Sequence, residues 1–152
     1  MVFSCVDSRV PPEIVFDRGL GDLFVIRTAG HVVDDAALGS IEFGAEELHI
    51  PLVLVLGHER CGAVAATLDA IEAGARPHGR IGAIVDGIQP AVTEVQGYPG
   101  DILDNAVRAN IRLTILRLEE SAILGGARQA GQLRIVGGRY DLDTGEVEIT
   151  VP

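Results

Sequence analysis

Pro51-Leu52-Val53-Leu54-Val55-Leu56-Gly57-His58-Glu59-Arg60-Cys61 is an aliphatic run that ends in a polar cluster. Leu52 to Leu56 lacks the polar alternation of a half-exposed strand, which predicts a parallel strand covered on both faces. Pro51 stops the element before it. Upstream, Leu38, Ile41, Ala45 and Leu48 fall at the three-and-four spacing of an amphipathic helix, with Asp34 or Asp35 as its cap. Leu23-Phe24-Val25-Ile26 is rich in strand formers. Met1-Val2-Phe3 is a second apolar run that leads into a polar cluster, Cys5-Val6-Asp7-Ser8-Arg9. The order strand, strand, helix, strand predicts an α/β fold with a mainly parallel sheet flanked by helices.

Beyond Cys61, residues 63–73 read as a helix ending at Gly74, and a Gly- and Pro-rich stretch over 74–79 leads to a helical segment from Ile81 that Pro90 interrupts or restarts. Ile102, Ala106, Ala109, Leu113 and Leu116 form a stripe on a longer helix opened by Asp101. A further helix over 121–130 is weakened by Gly125-Gly126. Leu133-Arg134-Ile135-Val136 is another strand, and Asp143-Thr144-Gly145 marks a turn into a C-terminal hairpin or edge strand over 147–151.

The 152 residues fit one domain with its own core, and no composition shift marks a linker. Twelve basic against 22 acidic residues give a net charge of -10, which repels phosphate backbones and anionic lipid, so neither a nucleic-acid nor a membrane partner is expected. No apolar run reaches the roughly 20 residues of a membrane span, and the N-terminus lacks a signal-type block. A soluble cytoplasmic protein is expected. Two cysteines make no disulfide framework, and in a reducing compartment such a pair is buried, catalytic or metal-bound.

The neighbours of the cysteines decide between these. A strand cysteine alone reads as a small hydrophobe. Here Asp7 and Arg9 follow Cys5 at two-residue intervals and His58 stands three before Cys61. If the two apolar runs are neighbouring strands, two thiols, an imidazole, a carboxylate and a guanidinium meet at one end of the sheet. Charged groups gather at buried strand ends when paired or metal-bound. Zn²⁺ takes thiolate and imidazole ligands in a tetrahedron, and Cys5, His58 and Cys61 supply three, leaving the fourth position to water or to Asp7. The planar fork of Arg9 can hold the Asp7 carboxylate and draw it off the metal, turning Asp7 into an acceptor that orients a zinc-bound hydroxide. A salt bridge at a sheet edge is the simpler reading of that pair. Two thiolates lower the charge on the metal, so activity is expected to favour alkaline pH. The helix after Cys61, Gly62 first, turns its positive end toward the site.

Cys5-Val6-Asp7-Ser8-Arg9 and Gly57-His58-Glu59-Arg60-Cys61-Gly62 resemble the two signature motifs of the β-class carbonic anhydrases. The stretches over 21–30, 39–45 and 135–142 resemble further blocks of that family in order and spacing. The resemblance implies reversible hydration of CO₂ to bicarbonate by a single β-carbonic-anhydrase-like domain over residues 1–152 that carries one zinc per chain. By it, Cys5, His58 and Cys61 are zinc ligands, Asp7 is the alternative fourth ligand, and Asp7 with Arg9 forms the catalytic dyad. Phe24, Ala29 and Phe43 fall where the family lines its substrate pocket, and the Gly62 amide falls where it meets substrate oxygen. A homodimer or higher homo-oligomer is implied.

Three departures stand out. The chain starts four residues before Cys5, so the family's helical N-terminal arm is not in it. Phe43 stands where many members have Tyr. Val2 replaces a Trp of bicarbonate-inhibited members, which leaves that anion site incomplete although Arg27 is present. Other readings keep the same metal: turnover of CS₂ or COS, or a closed zinc protein with Asp7 locked on the ion. A thiol redox role lacks a Cys-x-x-Cys spacing. His31 qualifies as a proton shuttle by residue type alone, with a surface or structural role as the alternative.

Overall fold

The computed structural model describes residues 1–152. Five strands form one sheet in the order β2-β1-β3-β4-β5: β1 (Val2–Cys5), β2 (Val25–Thr28), β3 (Leu52–His58), β4 (Arg134–Tyr140) and β5 (Val147–Val151). The first four are parallel, and β5 returns antiparallel to β4, with a register shift at Gly137/Gly138. The helices are α1 (Pro12–Val15), α2 (Asp35–Glu46), α3 (Gly62–Glu72), α4 (Ile81–Glu94), α5 (Ile102–Glu119) and α6 (Ala122–Gln129).

The sequence pattern explains the central strand. Val53 and Val55 point into the large cluster beneath the helices, while Leu54 and Leu56 join Val2 in a smaller one on the other face. Both faces of β3 are therefore covered, as the absence of polar alternation predicts. Helix α5 lies close to the sheet because two glycines let it. A Cβ on Gly57 would stand 2.6 Å from Ile111 Cδ1, and one on Gly137 would stand 2.6 Å from Ile111 Cγ2. Ile111 is fully buried in that notch, and burying a side chain of its size contributes about 1.5–3 kcal/mol.

Several expectations need adjustment. Pro90 does not interrupt its helix: α4 runs through it, because Pro90 and Asp86, whose carbonyl loses its partner, both lie on the exposed side. The helix over 121–130 forms despite its glycine pair, with the Ser121 side chain accepting from the Leu124 amide. Of the two candidate caps for α2, Asp34 serves, accepting from Ala37 N at 2.8 Å. Strand β4 runs on to Tyr140, four residues beyond the expected end, since Gly137 and Gly138 give room to Ile111 and Val147. The short α1, with Pro12 in its first turn, and a 3-10 turn over Ala29–His31 were not anticipated.

Strand β1 lies between β2 and β3, with the chain leaving it for β2 on one side and later adding β3 on the other. Connections that diverge in this way open a crevice at the carboxyl ends of the strands. Cys5 ends β1 and His58 ends β3, so both polar clusters open into it.

Candidate metal centre

Cys5 Sγ and Cys61 Sγ are 4.0 Å apart, and with a ring nitrogen of His58 they form a group whose atoms all lie within 4.8 Å of one another. All three residues are buried. Zinc bonds of about 2.3 Å to sulfur and about 2.0 Å to nitrogen give tetrahedral edges of roughly 3.5–3.8 Å, close to this spacing. The imidazole is already oriented for such a role. His58 Nδ1 donates to the Glu59 carbonyl at 2.8 Å, a partner that can only accept, so the proton sits on Nδ1. Nε2 is left with a free lone pair, buried and without a hydrogen-bond partner. An orphaned buried acceptor beside two thiols fits a metal ion of the kind the donor set selects.

The thiols titrate as a unit. The hydrogen bond shared with Cys61 leads in pulling the Cys5 thiol down, against burial and with help from His58 and the Gly30 amide, which lies 3.3 Å from its sulfur. The same bond and burial push Cys61 up. Cys61 is the N-cap of α3, so the positive end of a helix faces its sulfur.

Asp7 is held away from this group. Arg9 Nε donates to Oδ1 at 2.9 Å, Arg9 Nη2 to Oδ2 at 2.7 Å, and the Arg9 amide to Oδ1 at 2.9 Å. These bonds, led by the guanidinium, hold the Asp7 carboxyl well below the usual carboxylate range. Oδ2 still lies 3.9 Å from His58 Nε2, within reach of the open side of the site. Arg9 Nη2 also donates to the Arg60 carbonyl at 3.2 Å, which ties the two sequence clusters together.

Three further residues support the centre. Arg27 donates from Nε to the Cys5 carbonyl at 2.9 Å and from Nη2 to the Asp7 carbonyl at 2.7 Å. It braces the loop that carries the ligand and the dyad. Arg60, in left-handed backbone at φ 52, pairs bidentately with Asp143 in the β4–β5 turn at 3.0 and 2.7 Å. His31 is buried with its ring edge-on to Phe3. Burial drives its pKa down to about 4, which makes it a structural group and not a surface shuttle. A second carboxylate group, Glu59, Asp141 and Asp143, is occupied by Arg60, Arg139 and the amides of Leu142, Asp143 and Thr144.

The expected pocket residues separate into two sets. Ala29 begins the turn whose Gly30 amide reaches Cys5, and Gly62 follows Cys61, so both adjoin the thiols. Phe24 precedes Val25, the partner of Val2, whereas Cys5 is level with Thr28. Four strand residues, about 13 Å, separate Phe24 from the level of Cys5. Phe43 goes with it: a Cβ on the adjoining Gly44 would stand 2.8 Å from the Met1 side chain and 3.4 Å from that of Phe24. Within one chain, Phe24 and Phe43 therefore lie at the far end of the strands from the cysteines. A cavity of about 580 Å³ between α2 and α6 is also at that far end.

A family model described as carbonic anhydrase matches residues 1–147. A carbonic anhydrase of Mycolicibacterium smegmatis is 43% identical over 150 residues, covering 98% of this chain and 73% of that protein. Carbonic anhydrase 2 of Mycobacterium tuberculosis is 42% identical over 146 residues, covering 95% and 70%. Among solved structures, a tetrameric β-carbonic anhydrase of Sordaria macrospora superposes with a TM-score of 0.86 at 20% identity, over 97% of this chain and 78% of that one.

Proposed function

Because the chain belongs to the β-carbonic anhydrase family, whose members are zinc lyases, we propose that it interconverts CO₂ with bicarbonate and a proton, with Cys5, His58 and Cys61 holding one zinc ion. The observation that carries the assignment is the convergence of two sulfurs and an unpartnered imidazole nitrogen within 4.8 Å, beside a carboxylate held by Arg9. When bound, zinc supplies the Lewis acidity that makes water a nucleophile near neutral pH.

The chain's own residues supply position. Asp7, kept ionised by Arg9, is an acceptor only, so it takes a hydrogen bond from the attacking water and directs the lone pair toward substrate. Arg9 holds both carboxylate oxygens, which supports an arrangement with Asp7 withdrawn from the ligand group and argues against the closed reading. The Gly62 amide, at the start of α3, serves in this reading as a donor to a substrate oxygen as charge develops on it. Ala29 offers CO₂ an apolar contact. A linear, uncharged substrate of three atoms needs no larger cavity beside the thiols.

A homo-oligomer is part of the proposal. Phe43 is 52% exposed, and Val6, Ile14 and Leu20 are exposed as well, apolar side chains that a second copy would cover. If Phe24 and Phe43 wall a substrate pocket, they do so for a second copy, since they stand far from the cysteines of their own chain. No helix is long and apolar enough to cross a membrane. A reducing cytoplasmic compartment is supported by two cysteines that serve a metal and form no disulfide.

The test is stopped-flow CO₂ hydration across pH on protein whose zinc content and sedimentation have been measured. One zinc per chain, turnover that rises toward alkaline pH and a species larger than one chain are expected. Folded protein without zinc, or zinc-loaded protein that leaves CO₂ untouched, overturns the assignment.

A further inference from the structure

Asn110 of α5 rests on the turn over residues 29–31. Its side-chain nitrogen is 2.9 Å from the Gly30 carbonyl and 3.0 Å from His31 Nε2. Asn110, Gly30 and His31 are all buried. A carbonyl can only accept, so the amide nitrogen and not its oxygen must face Gly30. The second proton of that nitrogen then makes His31 Nε2 an acceptor and leaves the imidazole neutral, with its hydrogen on Nδ1. One side chain thus fixes the state of two neighbours.

The turn needs such a grip. Gly30 and His31 have φ of 59 and 45 in succession, and a left-handed residue other than Gly costs roughly 1–2 kcal/mol. The turn is also hemmed in, since a Cβ on Gly30 would meet Ile88 Cδ1 at 2.6 Å and Ala63 Cβ at 3.0 Å. What this conformation delivers is the Gly30 N–H at 3.3 Å from the Cys5 sulfur.

We propose that Asn110 is a positioning residue for the metal centre: from α5 it holds the 29–31 turn so that the Gly30 amide donates to the Cys5 sulfur, strengthening that thiolate's hold on zinc. The inference rests on the zinc assignment above. An outer hydrogen bond fixes where a ligand atom sits, so the Gly30 amide holds the Cys5 sulfur in place for the ion. Asn110 itself touches neither metal nor substrate. Were it only a core residue, an apolar replacement would leave the centre alone.

The test compares Asn110→Ala and Asn110→Ser with Thr114→Val, a loss of a buried polar group one turn further along α5. Zinc affinity is measured by chelator competition, and the sulfur-to-cobalt charge-transfer band is recorded on cobalt-loaded protein. Asn110→Ala is expected to weaken zinc binding about 10- to 100-fold, the usual effect of losing such an outer partner, and to move the band. Asn110→Ser, which keeps a donor, falls between, and Thr114→Val keeps both readings. An Asn110→Ala protein that binds zinc within about twofold of the unsubstituted chain, with the same band, overturns the proposal. Should that variant not fold, the same two readings on Asn110→Ser decide. In the unsubstituted protein loaded with cadmium, the Gly30 amide proton should show scalar coupling to the metal through the Cys5 sulfur, and its absence overturns the proposal whatever the variants do. Unsubstituted protein that neither takes up zinc nor hydrates CO₂ sinks the family-based assignment. A normal unsubstituted enzyme with indifferent Asn110 variants sinks only the positioning role.

Discussion

Asp7 stands between two claimants, the guanidinium that holds it and the ligand group, whose His58 Nε2 lies 3.9 Å from its Oδ2. Removing Arg9 leaves the second. Arg9→Ala is expected to retain one zinc per chain while CO₂ hydration falls on the order of 100-fold, the scale of a lost positioned group; metal analysis beside stopped-flow rates checks both halves. His58→Ala removes a ligand and is expected to lose zinc outright, read in the same metal analysis. His31 makes a separate prediction. Its pKa is about 6.5 in an unfolded chain and about 4 in the fold, where burial outweighs the attraction of Cys5 and His58 adds to the lowering. Between those values the unfolded chain binds the extra proton, so stability falls as pH drops from about 6.5 to 4, by up to about 3 kcal/mol. His31→Gln is expected to flatten that part of the acid profile in urea melts. The pairing of Asp7 with Arg9 was legible because the two are neighbours in sequence. The grips of Asp143 on Arg60 and Asn110 on Gly30 span 83 and 80 positions, and no local pattern marks them.

The elements that were legible are those whose own residues determine them. Strand β3 follows from an aliphatic run, α2 and α5 from apolar stripes, and their starts from Asp34 and Asp101, which accept from amides of the first turn. Asp34→Ala is expected to cost about 1 kcal/mol in urea unfolding, as the loss of a cap does. The elements that escaped are set by what surrounds them. Helix α1 and the 29–31 turn are too short to show a period, and β4 continues through two glycines because α5 and β5 pack on it. Gly57 shows the cost of ignoring such neighbours: Gly57→Ala forces a methyl against Ile111 and is expected to destabilise by about 1–3 kcal/mol, read by the same melts. Both polar clusters could be read as strand ends, but their meeting depended on β1 and β3 being adjacent, which composition alone does not establish.

At the scale of the molecule, the net charge of -10 and the mainly parallel sheet were plain in the sequence, and the placement of Phe24 and Phe43 far from the cysteines was not, since it depends on register. Cys5 and Cys61 lie 56 positions apart, and the stretch between them contains β2, the whole of α2 and β3. An ion shared by the two sulfurs is therefore a detachable crosslink around more than a third of the chain. A permanent bridge closing a loop of that length is worth about 4 kcal/mol, mostly by denying the unfolded chain its freedom. Chelation is expected to lower the melting temperature and to quicken amide exchange inside the loop more than in α5 or β4. Cofactor supply would then govern survival as well as turnover, because a cell starved of the ion would hold copies that proteases open first from Val6 to Arg60.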